Sequence, residues 1–162
     1  MTPAIVEICV GCDEPPPPGL IAGMRQFNDG QYFECHETLE ALWKAERRPL
    51  RRLYQGVLQI GVALLHLERG NQRGAIRLLE RGLNHLRWFA PACQGVDVMT
   101  LIADAEACLV AVKSMGSERA DAPDLPLSPS GAERAKVSGR LTPRLRMIPT
   151  DRVVPEGPRV DS

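Results

Sequence analysis

Phe27 to Trp43 reads FNDGQYFECHETLEALW, and this stretch decides how the rest of the chain is read. At roughly 100° per residue, Phe33, His36, Glu37, Glu40 and Trp43 fall within about 120° of one another on a helix. Cys35, Leu39 and Leu42 extend that side into an apolar stripe. A carboxylate or imidazole at an apolar border must find a partner or stay wet, because burying it unpaired costs several kcal/mol. The expectation is a polar cluster held within a helical protein.

Working outward, helical spacing recurs on both sides of this segment. Leu20, Met24 and Phe27 predict a first helix from about Gly19, closed by Asn28-Asp29-Gly30 with a glycine suited to the left-handed position after a helix. The second helix is expected from about Gln31 to Glu46, before Pro49. A third runs from Leu50 to Arg69 and stops at Gly70-Asn71. From Val57 to Leu67 only Gln59 and His66 are polar, the pattern of a central helix. Arg52, Gln55, Gln59 and His66 form a stripe about 60° wide on it. Gly56 and Gly61 each cost roughly 1 kcal/mol of helix stability against Ala, so close approach of a neighbouring backbone is the expected reason for them. A fourth helix from about Gln72 to Phe89 and a fifth from about Val98 to Lys113, ended by Gly116, complete an all-α, compact bundle of about five helices.

The ends of the chain differ in character. Residues 1–18 finish in Pro15-Pro16-Pro17-Pro18, a stiff polyproline segment taken as a leader outside the core. Residues 19–116 form the helical domain. Residues 117–162 carry seven prolines, no aromatic residue and no sustained periodicity, and are expected to be a disordered tail with a small basic stretch at Arg134–Arg146.

Composition narrows the function. Net charge is zero over 20 basic and 20 acidic residues, so no global field favours nucleic acid. No apolar run reaches the ~18–20 residues that span a bilayer, and MTPAIVEICVGC lacks the features of a signal peptide, so a cytoplasmic protein without membrane attachment is expected. Five cysteines scattered through such a chain argue against a disulfide framework. Cys9 and Cys12 have the spacing of half a zinc or redox site, while Cys35, Cys93 and Cys108 read as small buried hydrophobes. Trp43, Tyr54 and Phe33 read as core anchors.

A short link around Pro49 makes an antiparallel hairpin of the second and third helices, and both polar stripes can then face one groove. His36 and Glu40, at i and i+4, sit about 6 Å apart and suit a shared divalent metal or a His–Glu hydrogen bond. His66 would be the third ligand, Glu37 the general base, and Glu34, Arg52, Gln55 and Gln59 would orient ligands or substrate. The expected function is a metal-dependent hydrolase; the alternative is a non-enzymatic adaptor or a metal-free small-molecule binding module, in which the same residues form a structural hydrogen-bond network tying two helices together. The partner is accordingly a small molecule or a protein. His36-Glu37-Thr38-Leu39-Glu40 ends in Glu, so the two-histidine zincin signature is absent, as is the Glu-x-x-His order of di-iron bundles.

Phe27-Asn28-x-Gly30-x-Tyr32-Phe33-Glu34-x-His36-Glu37-x-x-Glu40-x-x-Trp43 resembles the signature of a small bacterial, archaeal and plastid all-helical family. Tyr54-Gln55-Gly56-x-x-Gln59-x-x-x-Ala63-x-x-His66-x-x-x-Gly70-Asn71-x-x-Gly74-Ala75 resembles its second motif. That family is of unknown function and is often labelled "predicted metal-dependent hydrolase". The resemblance covers roughly residues 20–90. It implies a compact helical bundle with a polar site between the motif helices, and it places Glu34, His36, Glu37, Glu40, Gln55, Gln59 and His66 at motif positions.

Overall fold

The computed structural model describes residues 10–120 and 143–147. Its five α-helices are α1 (Pro18–Asn28), α2 (Tyr32–Ala45), α3 (Arg51–Glu68), α4 (Gln72–Leu86) and α5 (Val98–Ala120). Each of the first four packs on the next in sequence, and α5 packs on α4. The fold is compact and all-helical, as its periodicity predicts.

The helix ends follow the local chemistry. Pro18 occupies the first turn of α1, where a missing N–H costs nothing, so the four-proline run opens that helix instead of ending before it. Gly30 (φ 76°) and Gly70 (φ 76°) close α1 and α3 in the left-handed conformation. Asn71 caps α4, its Oδ1 accepting from the Gly74 amide at 3.0 Å. Asp97 does the same for α5, accepting from the Thr100 amide at 3.0 Å and the Thr100 hydroxyl at 2.7 Å.

α3 is the central helix. It buries Leu53, Tyr54, Val57, Ile60, Ala63 and Leu64 between α2 and α4. Phe27 of α1 reaches the same core and meets the Tyr32 ring edge-on, with centroids 5.7 Å apart.

Three expectations are corrected. α4 ends at Leu86 and a single 3₁₀ turn, Arg87–Phe89, follows it; Phe89 is buried there while Trp88 is exposed. α5 continues past Gly116 to Ala120. Between them lies an antiparallel hairpin of β1 (Ala92–Cys93) and β2 (Val96–Asp97), whose two-residue strands are too short to leave a period in the sequence. Its tight turn holds both central residues at positive φ, Gln94 at 48° and Gly95 at 73°.

Two segments distant in sequence, around Cys12 and at Pro143–Met147, meet the hairpin. Cys12 and Cys93 are joined by a disulfide across a separation of 81 residues, which overturns the expectation of no disulfide and of Cys93 as a plain hydrophobe. Counting cysteines weighs frameworks of several bridges; it is blind to one pair that folding brings together. The Gln94 amide donates to the Cys12 carbonyl at 2.7 Å, so residues 10–17 of the expected leader lie against the helical domain. Cys9 lies outside the described residues. Of the expected tail, 121–142 and 148–162 lie outside them as well. Pro143–Met147 is docked beside the hairpin, with Val96 and Met147 forming an antiparallel bridge and Leu145 buried.

Candidate functional site

The motif residues of α2 line its outer edge. His36, Glu40 and Trp43 are half-buried, while Glu34 and Glu37 are exposed. Phe33 is 52% exposed, against the expectation of a core anchor. Its angular position lies between those of Glu37 and Glu40, on the solvent side of the border, and Phe27 and Tyr32 already fill the core at this level. Tyr54, by contrast, is the core anchor expected. It is 1% exposed, and its hydroxyl donates to Gln94 Oε1 at 2.7 Å.

The guanidinium of Arg51 lies 4.8 Å from the centroid of the Trp43 ring, a cation–π contact that joins α2 to the start of α3. Arg52, the next residue, faces the other way. It lies near His85 of α4, and burial first, then the charge of Arg52, lowers the His85 pKa below its ordinary value. The stripe headed by Arg52 therefore begins on the α4 side of α3, about one residue's rotation from the groove that holds Trp43. Among the described residues, Gln59 Oε1, in that stripe, is buried without a hydrogen-bond partner, as is Trp43 Nε1.

The proposed ligands have other neighbours. Glu40 pairs with Lys44 at 3.2 Å, an exposed i,i+4 pair of the kind worth a few tenths of a kcal/mol. His66 Nδ1 lies 2.9 Å from Asn71 Nδ2. Because Asn71 Oδ1 already accepts from the Gly74 amide, its amide nitrogen donates to His66, and the Nδ1 lone pair is used in the capping turn. Seven residues separate His66 from Gln59, roughly 10 Å along the axis. Among the described residues, no group of three or more His, Cys, Asp and Glu side chains gathers to hold a metal ion.

Two surface cavities are lined by different residues. One, of about 200 Å³, sits where residues 14–17, the end of α2, Tyr54 and Gln94 meet. Arg48 forms its charged wall, donating to Glu14 at 2.7 and 3.1 Å and to Glu46 at 2.8 and 3.0 Å. Hydrogen bonding to Arg48 holds the Glu46 carboxyl down at about 2 and lowers that of Glu14. The other, of about 300 Å³, lies between Glu80, Asn84, Arg87 and Leu109. Sequence reasoning missed the Arg48 cluster because Glu14 and Arg48 stand 34 residues apart and no spacing ties them together. Cys35 and Cys108 are buried free thiols pushed up to about 12 and about 11, so neither is a thiolate at neutral pH.

Residues 20–78 match the family described as "Domain of unknown function (DUF309)". The chain is 44% identical over 57 residues to "Uncharacterized protein YpuF" of Bacillus subtilis (strain 168), a match that takes in 35% of this chain and 33% of that protein. The chain thus spans about a third of that relative's length. No solved structure matches. The family match falls on α1 to α3 and the first half of α4, and both comparisons make the chain similar to proteins of unknown function.

Proposed function

We propose that this chain is a non-enzymatic helical adaptor that docks a partner polypeptide on the outer edge of α2, through Phe33, His36, Glu37, Glu40 and Trp43. The observation that carries the reading is the placement of Phe33: a large aromatic residue half in solvent, flanked by the exposed carboxylates Glu34 and Glu37, within the matched segment. Neither described cavity includes His36, Glu37, Glu40 or His66 in its lining, which favours an open docking face over an enclosed reaction site. The partner chemistry that fits is an apolar side chain flanked by lysine or arginine. Among the described residues, no helix is long and apolar enough to cross a membrane.

The rival is a metal-dependent hydrolase in which His36 and Glu40 hold a divalent ion and Glu37 is the base. One pair of measurements separates the two. A photo-cross-linking residue placed at Phe33 in cells should give a discrete protein adduct that disappears with Glu37→Lys, and the same residue placed at Arg73 should give none. Elemental analysis of chain purified without chelator should find no stoichiometric metal. Near-stoichiometric zinc, manganese or iron that is lost in His36→Ala overturns the adaptor in favour of the hydrolase.

A further inference from the structure

Pro143–Met147, PRLRM, is held in an extended conformation by a groove built from the end of α1, the hairpin and the first turns of α5. The contacts are of one kind. Asn28 Nδ2 donates to the Leu145 carbonyl at 2.8 Å and the Leu145 amide donates to Asn28 Oδ1 at 2.9 Å, so one side-chain amide clamps both backbone groups of a single residue. The Asp97 amide donates to the Arg146 carbonyl at 2.8 Å, and the Arg144 amide approaches Asp104 Oδ2 at 3.4 Å. Among the described residues, every group of the segment that is hydrogen-bonded is main chain.

The side chains alternate as the pleat requires. Pro143 and Leu145 point inward and are buried, while Arg144 and Arg146 are exposed. Met147 lies over Gly95, where a β-carbon would come within 2.9 Å of its Cε. This is the arithmetic of strand addition: backbone hydrogen bonds supply the grip, and pockets under alternate residues supply the choice.

The geometry points to a recognition groove for extended polypeptide segments of the pattern Pro-x-Leu, with basic residues at the outward positions, in which residues 143–147 are a resident occupant that a partner's segment displaces. A grip made of main-chain groups does not require that the strand belong to this chain. Asp104 at the rim matches the outward arginines in charge. The resident segment belongs to the same chain as the groove, so an incoming segment competes against an intramolecular occupant and binds well only when that occupant is released. The groove lies on α1, the hairpin and α5, apart from the face of α2, so its fate does not depend on the adaptor reading.

The test uses the full chain carrying Leu145→Asp, which empties the pocket, and a fluorescent peptide of the sequence of residues 142–149. Anisotropy should show saturable binding at least tenfold tighter than to the wild-type chain, abolished by adding Asn28→Ala and absent for a peptide with Asp at the Leu145 position. A second format leaves Leu145 intact: a protease site replaces residues 128–133, the native chain is cut, and the freed tail should exchange with labelled peptide. No binding to the folded Leu145→Asp chain, or no exchange in the cut chain, overturns the proposal. A wild-type dimer that is lost with Asn28→Ala assigns the groove to the tail of a second copy and overturns the partner reading.

Discussion

Gly56 of α3 and Gly82 of α4 meet backbone to backbone: a β-carbon on Gly82 would stand 3.1 Å from the Gly56 carbonyl oxygen, and one on Gly56 would stand 3.2 Å from that of Gly82. The neighbours at both positions are rigid, since Ile60 and Leu86 are fully buried core residues. Gly82→Ala should therefore destabilise the domain by about 1–3 kcal/mol in urea unfolding, the range for overpacking a close crossing. At Gly61 an added β-carbon meets only the Phe27 ring at 3.4 Å and the Cys35 sulfur at 3.7 Å. Gly61→Ala should be neutral or gain up to about 1 kcal/mol from helix propensity. Equal losses at both positions would refute the crossing as the cause.

The Cys12–Cys93 bond closes most of the domain into one loop. Loop-closure entropy for a loop of this size is roughly 4 kcal/mol, so Cys12→Ser should lower the thermal midpoint by several degrees at least. Adding dithiothreitol to the wild type should reproduce that shift, and should leave the midpoint of Cys12→Ser unchanged.

The pH dependence has an acid arm set by Glu46. Its carboxyl is held at about 2 against an ordinary value near 4.5, chiefly by hydrogen bonding to Arg48. A group with a depressed folded pKa stabilises the fold above its unfolded value, and loses that contribution as the pH falls toward the folded one. Stability should decline between about pH 4.5 and pH 2, and Glu46→Gln should flatten the decline. An unchanged acid limb in Glu46→Gln would show that other carboxylates carry it.

His85 adds a second, milder arm. Burial and then Arg52 depress its pKa below 6.5, so its contribution is present above pH 6.5 and declines as the pH falls below that value. Proton NMR of the imidazole should show the lowered pKa, and Arg52→Ala should raise it part of the way back. A titration unmoved by Arg52→Ala would leave burial as the sole cause.

Phe33→Ser tests the exposed edge of α2. With the ring half in solvent, the substitution should change stability by no more than about 0.5 kcal/mol. A loss of 3 kcal/mol or more, as for a buried phenylalanine, would return Phe33 to the core and remove the docking face.

The positions of the helices were legible in the residues themselves. Leu20, Met24 and Phe27 mark α1, Gly30 and Gly70 close two helices, Pro49 separates α2 from α3, and Asn71 caps α4. Periodicity and capping act between residues a few positions apart, so a linear reading captures them. The apolar run of α3 marked it as central for the same reason. Other relationships join residues far apart, and only folding could choose them: Cys12 with Cys93, Glu14 with Arg48, Tyr54 with Gln94, Asn28 with Leu145. The candidate site lies between these two cases. Its residue types and stripes were readable, but the groove each stripe faces depends on how α3 is rotated about its own axis. One residue is about 100° of that rotation, enough to send Arg51 to Trp43 on α2 and Arg52 toward His85 on α4. The Gly56–Gly82 crossing sets that rotation, and it exists only once the two helices have packed.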